Sequence, residues 1–366
     1  MTTGIVWHEQ YMWHDNTGTA AGVLPPGGFL EPHHNLEHPD TKRRIRNLLE
    51  VSGLYEELTP IKPRKATDEE ILRVHTPGYL DKLIALDPTG GEAGPVTRFG
   101  VGGLEIARLS AGGVIAAVDA VLDGTVDNAY ALVRPPGHHA MPDFGLGFCI
   151  LCNSAIAGRH ALAARGLKRI AFVDWDVHHG NGTQAAFWDE PGALTISIHQ
   201  NGCFPHDQGF REERGEGAGF GYNLNVPLPP GCGSGAYEEA FRRVIIPALH
   251  AYKPELIIVP SGFDAGGWDP LGRMMIYSDC YRRLTAMLME AADALCGGRL
   301  LMCHEGGYNA ATVPFFGLAV LETMSGKSTG VEDPFLPFIR DLAEQELQPH
   351  QDAAIAKAEA LLVDIK

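Results

Sequence analysis

The sequence predicts an α/β protein built on a parallel sheet with helices on both of its faces. Two observations predict this class: short apolar runs rich in β-branched residues recur along the chain, and helix-length segments separate them. No internal repeat, low-complexity tract or linker divides the 366 residues. We therefore expect a single domain that spans residues 1–366 and carries long loops.

Six runs are predicted to be the buried strands, and the segments between them are predicted to be helices. The strands are expected at 4–7, 130–133, 169–174, 194–199, 256–261 and 300–304. The helices are expected at 42–50, 104–122, 154–165, 235–251 and 278–295, and loops at 24–28, 215–221 and 227–235, where Gly and Pro concentrate. In such sheets ligands bind at the carboxyl ends of the strands, so the residues that follow each run are the candidates for function.

Composition and charge narrow the class of protein. Hydrophobic residues make up 45% of the chain and charged residues 20%, as in an ordinary globular protein. The net charge of -16 opposes contact with nucleic-acid phosphates and attracts a cationic substrate, so we expect no direct nucleic-acid partner. Seven scattered cysteines, without a leader pattern or a long apolar run, predict a soluble cytoplasmic protein with no membrane partner. A homo-oligomer is left open.

Two adjacent imidazoles follow the strand predicted at 130–133. The segment reads Arg-Pro-Pro-Gly-His-His, in which the prolines fix the backbone and the glycine permits a tight turn. His138 and His139 are therefore presented at a defined place. A histidine pair by itself is more often a surface or structural feature, so this pair gains weight only from the residues that follow the other strands.

Acidic residues and an imidazole alternate after the strand predicted at 169–174. In an extended segment alternate residues share a face, so Asp174, Asp176 and His178 point one way while Trp175 and Val177 point into the packing. Three such groups beside an apolar strand are costly without a cation or hydrogen-bond partners. The alternative is a solvated loop that carries acidic residues.

A third acidic residue, Asp264, follows the strand predicted at 256–261 and can complete a set with Asp176 and His178. Alone it would more often be a turn or helix-cap residue. Two carboxylates and one imidazole suit Zn²⁺ or Fe²⁺, and a set of three ligands leaves positions for water and substrate, as in a catalytic site. Asp174 is then interpreted as a partner that orients a nearby imidazole. Tyr308, in Glu-Gly-Gly-Tyr after 300–304, is a candidate hydroxyl beside a ligand.

The segments PPGHHA, DWDVHHGNG, SGFDA and EGGY resemble, in their joint order, the four signature segments of the zinc-dependent histone deacetylases. The phrases RPPGHHA, GFC and GFDAGGWDPLG are closer to the class II branch and to bacterial histone-deacetylase-like amidohydrolases. Asn181, where class I members commonly have Asp, agrees with that placement. The resemblance implies the arginase-deacetylase fold, with an eight-stranded parallel sheet and one Zn²⁺ held by Asp176, His178 and Asp264.

The resemblance also implies roles for residues around the metal. A structural K⁺ is expected near Asp174, Asp176, His178, Ser197 and Ile198. Phe148 and Phe204 are expected to wall an acyl-lysine channel, with Gly147 beside the scissile amide, Leu271 at the rim and Asn181 behind the ligands. In the implied reaction on an acylated lysine or other acylated amine, His138 accepts the proton of a zinc-activated water. His139 is expected to protonate the departing amine, and Tyr308 to stabilise the oxyanion.

Three rival functions use similar residues. Arginase-like chemistry with two metal ions needs further carboxylates, but Gly266 stands two residues beyond Asp264. Acetylpolyamine hydrolysis uses the same site, although one polyamine-selective branch carries Glu where Leu271 stands here. A catalytically idle protein that binds acylated lysines is disfavoured by the intact ligands and by Tyr308.

Several further residues are set aside. His33, His34 and His38 are expected to be exposed, and Cys149 and Cys152 are expected to be packing thiols, with a redox switch kept as a hypothesis. Many eukaryotic relatives have an Asp near the segment 90–103 that grips the substrate backbone, and Glu92 does not align clearly with it. The resemblance therefore supports amide cleavage more than it supports peptide binding.

Overall fold

The structure is a computed structural model that describes residues 1–16, 19, 20, 22 and 24–365. Its strands are β1 (Thr3–Val6), β2 (Thr59–Ile61), β3 (Gly91–Gly94), β4 (Thr97–Phe99), β5 (Asn128–Ala131), β6 (Ile170–Asp174), β7 (Ala193–Gln200), β8 (Asn223–Leu228), β9 (Ile257–Ser261) and β10 (Leu300–His304). Eight of them form one sheet in the order β2, β1, β5, β10, β9, β6, β7, β8. Every pairing in this sheet is parallel, while β3 and β4 form a separate antiparallel hairpin.

Helices fill the connections between the strands. They are α1 (Asp40–Val51), α2 (Asp68–Ile71), α3 (Pro77–Leu86), α4 (Gly103–Leu122), α5 (Asn153–Ala163), α6 (Asn181–Ala186), α7 (Ser234–Ala240), α8 (Ile246–Tyr252), α9 (Ser278–Cys296), α10 (Val313–Ser325), α11 (Leu336–Arg340) and α12 (Pro349–Glu359). A π-helical turn, Phe241–Ile245, joins α7 to α8. No helix within the described residues combines the length and the hydropathy needed to span a bilayer.

The sheet separates two apolar cores, as the alternation of side chains along a strand requires. In β5, Ala129 and Ala131 belong to the core on the side of α4 and α5, whereas Tyr130 belongs to the core on the side of α9 and α10. In β10, Leu301 likewise faces α4 and α5. Strands buried on both faces read as continuous apolar runs, which is why the sequence identified them.

The predicted fold class, with helices around an eight-stranded parallel sheet, is confirmed. All six predicted strands are present with small shifts of their ends, but the edge strands β2 and β8 were missed. The loop predicted at 227–235 was wrong at its start, because β8 extends to Leu228. A proline at position 227 argued against a strand there, and an edge strand tolerates one. The single helix predicted at 235–251 is interrupted by the π-helical turn.

The topology determines where the functional segments meet. Strands β5, β10, β9 and β6 are successive neighbours and parallel, so their carboxyl ends lie along one edge of the sheet. The segments that begin at Leu132, Glu305, Gly262 and Trp175 leave the sheet at that edge. Residues from four distant parts of the chain are thereby brought to one place.

Candidate active site

Three buried side chains converge where β6 and β9 end. Asp176 and His178 follow β6, and Asp264 follows the neighbouring strand β9. His178 Nδ1 lies 3.0 Å from Asp176 Oδ1 and 3.2 Å from Asp264 Oδ2. One potential ligand atom from each residue lies within 4.8 Å of the other two. The structure thus brings together the three proposed metal ligands, called the metal-ligand cluster below.

The electrostatics of the metal-ligand cluster fit a divalent cation. Asp264 Oδ2 is buried and has no hydrogen-bond partner among the described residues, while its other oxygen accepts a bond from Val177 N at 2.8 Å. Burial, and next the charge of Asp176, raise the pKa of Asp264 to about 6. Two buried carboxylates side by side are costly without a compensating charge, and two oxygen donors with one nitrogen suit Zn²⁺. The residues therefore fit the zinc that the resemblance implies.

His138 is oriented toward the metal-ligand cluster by Asp174. Its Nδ1 lies 3.0 Å from Asp174 Oδ2, and its Nε2 lies 3.8 Å from Asp176 Oδ1. Burial opposes a charge on this ring, but the carboxylates of Asp176 and Asp174 outweigh burial and raise the pKa of His138 to about 10. A cation held by Asp176 would offset part of that negative charge. At that pKa the ring is protonated and donates Nδ1–H to Asp174, and a cation bound at Asp176 would have to lower the pKa before Nε2 can accept a proton.

His139 lies beside His138 in a different environment. The ring centroids are 3.9 Å apart, and His139 Nδ1 lies 2.8 Å from Asn181 Oδ1. Burial, followed by the positive charges of His138 and His178, holds the pKa of His139 well below its usual range. The ring is therefore neutral, with Nδ1–H donated to Asn181 and Nε2 left as an acceptor.

The segment that presents the two histidines is held by a carboxylate to which the sequence analysis gave no role. Glu305 is fully buried, and its Oε2 accepts hydrogen bonds from Gly137 N at 2.6 Å and His138 N at 3.1 Å. Burial outweighs the charge of His138 and raises the pKa of Glu305 to about 7. Its position directly after β10 was the available signal, because an acidic residue that ends a buried strand needs partners.

Tyr308 reaches the metal-ligand cluster from the loop after β10. A Cβ on Gly306 would lie 2.2 Å from Asp264 Oδ2 and 3.0 Å from the Tyr308 hydroxyl oxygen, so only glycine lets the loop pass this close. The hydroxyl therefore lies beside the cluster. Burial raises the pKa of Tyr308 well above its usual value, which keeps the hydroxyl protonated as a hydrogen-bond donor.

A channel with a volume of about 270 Å³ leads to the metal-ligand cluster. The Phe204 ring is edge-on to the rings of His139 and His178, at centroid distances of 5.0 and 6.2 Å, and the Phe148 ring lies 6.0 Å from that of Tyr308. None of the lining residues carries a carboxylate. All four predicted channel residues line it, and the full set is Val96, His139, Gly147, Phe148, His178, Cys203, Phe204, His206, Leu271 and Tyr308.

Part of the channel wall comes from the β3–β4 hairpin. Gly147 N and Phe148 N donate hydrogen bonds to the carbonyls of Pro95 and Val96, at 3.3 and 3.1 Å. Phe148 has a φ of 71°, a strained backbone conformation for a residue other than glycine. No pattern in the sequence indicates Val96 as a channel residue, because its place depends on the contact between two distant loops. Glu92 is exposed on β3 and is not among the lining residues.

The residues predicted to hold K⁺ lie partly on neighbouring strands behind the metal-ligand cluster. Asp174 and Ser197 are paired across β6 and β7. Ser197 Oγ lies 2.9 Å from His199 Nδ1 and 3.3 Å from His179 Nδ1. Ile198 belongs to the apolar core, so only its carbonyl oxygen could serve as a ligand. The structure brings Asp174 and Ser197 together, and the binding of K⁺ stays a prediction.

Five residues that the sequence analysis set aside are not among those that line the channel. Cys149 and Cys152 are buried, and burial raises the pKa of both thiols, to about 12 for Cys152. This agrees with their interpretation as packing thiols, and the redox switch stays a hypothesis. His33 and His34 are exposed as expected, whereas His38 is half-buried.

Comparison with known proteins identifies relatives along almost the whole chain. The family model described as Histone deacetylase domain matches residues 35–324, which include every site residue described above. The histone deacetylase-like amidohydrolase of Pseudomonas aeruginosa is 48% identical over 94% of this chain and 94% of its own length. A probable deacetylase of Archaeoglobus fulgidus is 34% identical over 100% of this chain and 97% of its own length.

The fold is shared with a solved structure. A crystal structure titled HDA15 HD domain matches with a TM-score of 0.80 and 33% sequence identity, over 99% of this chain and 99% of that chain. Because the match extends over nearly all of both chains, the two proteins share the whole architecture and not the central sheet alone.

Proposed function

The chain belongs to the histone deacetylase family and is a hydrolase that acts on amides, and from this premise we propose that it removes a short acyl group from acylated lysine, or from a related amine, with the help of zinc. One observation carries the proposal. Asp176, His178 and Asp264 form a buried set of ligands at the base of an apolar channel, with His138 and Tyr308 beside it.

The proposed reaction divides the work between the metal and the side chains around it. Zinc bound by the metal-ligand cluster would polarise the acyl carbonyl and lower the pKa of a water molecule. His138 Nε2 accepts the proton of that water, and Asp174 stabilises the charge that the ring acquires. The Tyr308 hydroxyl donates a hydrogen bond to the oxygen on which negative charge develops, a contact worth about 3 to 4 kcal/mol in other hydrolases.

The departing amine needs a proton, and we assign its delivery to His138. The sequence analysis expected His139 in this role, but burial lowers the pKa of His139 and its Nδ1–H is donated to Asn181. A neutral His139 offers Nε2 as an acceptor, which suits a hydrogen bond from the N–H of the substrate amide. His138, protonated during the attack, then transfers the same proton to the amine nitrogen.

The apolar lining of the channel favours a substrate in which an uncharged alkyl chain carries the acylated nitrogen. Phe148, Phe204, Leu271 and Val96 surround the path with apolar surface, which suits the methylene groups of a lysine side chain. A free polyamine carries further ammonium groups, and a carboxylate near the path would be needed to pair with them. Since no lining residue supplies one, we propose acylated lysine ahead of acetylated polyamines.

One assay separates the proposed function from its rivals. The purified, zinc-loaded protein is incubated with reporters based on acetyl-lysine and trifluoroacetyl-lysine and with acetylated polyamines, and a hydroxamate serves as the inhibition control. We expect turnover of an acyl-lysine reporter with about one zinc bound per chain. Faster turnover of polyamines would favour that branch, binding without turnover would indicate an idle protein, and two metal ions per chain would indicate arginase-like chemistry.

A matched pair of tyrosine variants tests the site within that assay. Tyr308→Phe is expected to keep its zinc and lose about 10²-fold or more in turnover, because only the hydrogen bond to the oxyanion is removed. Tyr55→Phe, which removes the same atom from a half-buried tyrosine outside the channel, is expected to match the unchanged protein. Equal turnover of the two variants would remove the role assigned to Tyr308.

A further inference from the structure

The proposed mechanism leaves unexplained a buried carboxylate beside the channel. Asp269 is 8% exposed and lies in the segment between β9 and α9. Its Oδ2 accepts a hydrogen bond from Tyr308 N at 2.8 Å. Its Oδ1 accepts bonds from Leu271 N at 2.8 Å and Gly272 N at 3.3 Å. One side chain therefore joins two parts of the chain that both line or support the channel.

The position of Tyr308 needs such a support. Tyr308 follows Gly306 and Gly307, lies outside any helix or strand, and precedes α10 by several residues. Gly307 has a φ of 122°, which only glycine adopts readily. Gly306 is held on both sides, since its N–H donates to Asp176 Oδ2 and its carbonyl accepts from Phe263 N, both at 2.9 Å, so Gly307 is the link that still needs a contact beyond it. The bond from Tyr308 N to Asp269 is that contact at the tyrosine itself.

The other carboxylate oxygen of Asp269, Oδ1, is bonded to a turn that packs against the metal-ligand cluster. A Cβ on Gly272 would lie 2.2 Å from the carbonyl oxygen of Asp264, so the turn 269–272 is packed directly on the backbone of a proposed ligand. Leu271 in the same turn lines the channel. The Asp269 carboxylate thus links the backbone of Tyr308 to a turn that is packed next to the proposed metal ligands.

The choice of a carboxylate at this place follows from the three N–H groups that it meets. Two separate acceptor oxygens are needed, one for Tyr308 and one for the turn, and an amide side chain offers only one. Burial, and next the charge of Asp264, disfavour the charged form of Asp269 and raise its pKa, so the carboxylate has a cost in stability that its three N–H donors offset only in part. A side chain needed only for packing would not carry that cost.

We propose that Asp269 is a positioning residue, which holds the Tyr308 hydroxyl at the metal-ligand cluster by tying the tyrosine backbone to the turn that carries Leu271. The inference rests on the proposed function, because it assigns to Asp269 an effect on the same oxyanion contact. It also predicts that the effect of Asp269 on turnover passes entirely through Tyr308.

The test is steady-state kinetics on Asp269→Asn with an acyl-lysine reporter. The single amide oxygen is expected to face the turn, where two N–H groups meet, so that the amide NH₂ faces Tyr308 N and breaks that bond. We expect kcat to fall by about tenfold or more while KM changes by less than about twofold and the zinc content is unchanged. Unchanged kcat, or a loss expressed only in KM, would overturn the inference.

A double-mutant cycle distinguishes positioning from a general structural effect. If Asp269 acts only through the hydroxyl of Tyr308, the variant that combines Asp269→Asn with Tyr308→Phe is expected to be as slow as Tyr308→Phe alone. Losses that multiply would show that Asp269 acts elsewhere and would contradict the proposal. Asp333→Asn is the matched control, since Asp333 also uses both oxygens to accept bonds, from Phe335 N and Ser278 Oγ, outside the channel.

A shorter side chain answers the same question if Asp269→Asn does not fold. Asp269→Ser retains a turn-capping oxygen near Leu271 N but is one bond too short to reach Tyr308 N, so the same loss of kcat is expected. Turnover at the unchanged rate would refute the inference. The turnover of the unchanged, zinc-loaded protein is measured before that of any variant. If the unchanged protein does not hydrolyse the amide, the proposed function is wrong, whereas unchanged turnover in the Asp269 variants contradicts only the role of Asp269.

Discussion

Replacing Gly306 with alanine tests the geometry of the metal-ligand cluster with the smallest possible change. The added Cβ would lie 2.2 Å from Asp264 Oδ2, 2.7 Å from Asp176 Oδ2 and 3.0 Å from the Tyr308 hydroxyl. Ordinary contacts of a Cβ begin near 3.4 Å, so a ligand carboxylate or the loop must move by about 1 Å. The backbone of Gly306 is not among the positive-φ glycines, so the effect is steric and not conformational.

Displacements of this size at reacting groups cost about 10²-fold in rate. We therefore expect Gly306→Ala to lower turnover of the acyl-lysine reporter by about that factor and to weaken retention of zinc during dialysis against a chelator. Metal content by elemental analysis and kcat on the reporter measure the two effects. Gly78→Ala is the control, because a Cβ at that position in α3 meets no atom within 4 Å, and it is expected to behave as the unchanged protein.

If Gly306→Ala retains zinc as the unchanged protein does and turns over the reporter at the same rate, the loop does not pass as close to the ligands as the structure indicates. A melting temperature within a few degrees of that of Gly78→Ala would show that any loss arises at the site and not from unfolding.

Three further predictions concern proton transfer, acid stability and specificity. His138→Ala is expected to lose about 10³-fold in kcat and His139→Ala distinctly less, because the proposed mechanism assigns both proton transfers to His138; an equal loss would return the acid role to His139. Burial lowers the pKa of His75 from 6.5 to about 4, and its Nε2 accepts a hydrogen bond from Cys152 N. The neutral ring therefore makes its full contribution to the free energy of unfolding above pH 6.5, and this contribution is lost as the pH falls toward 4. That loss is about 3 kcal/mol, so urea unfolding at several pH values should show a steeper decline than in His75→Gln. Leu271→Glu is expected to raise kcat/KM for acetylated polyamines relative to acyl-lysine by about tenfold, since a carboxylate would then face a cationic chain; an unchanged ratio would mean that this position does not set the preference.

The sequence predicted that the three proposed metal ligands and the histidine pair lie at one edge of the sheet, because their placement depends on local order. In a parallel sheet the carboxyl ends of neighbouring strands must meet, so Asp176, His178 and Asp264 could be assigned from their positions after apolar runs. The order of strands was not needed for that step. The resemblance then supplied the channel residues Phe148 and Phe204, which the structure places at the wall.

The residues that were missed act through the backbone of distant segments. Glu305 accepts bonds from Gly137 N and His138 N, 168 and 167 positions earlier, and Asp269 accepts from Tyr308 N, 39 positions later. No periodicity or spacing marks such contacts, because any residue at the far end offers the same N–H group. Strand β8 was missed for a related reason: Asn223 and Asn225 make it look like a loop, although their amides are paired with Gln184 in the folded chain.

The junction between the β3–β4 hairpin and the channel bears on how this scaffold can diversify. The hairpin meets the wall through the carbonyls of Pro95 and Val96, which accept bonds from Gly147 N and Phe148 N. Because only main-chain atoms form these two hydrogen bonds, the side chain at position 96 can be replaced while both bonds are retained. A substitution in this hairpin can therefore change the width and polarity of the channel entrance while the side chains at the carboxyl edge of the sheet stay in place.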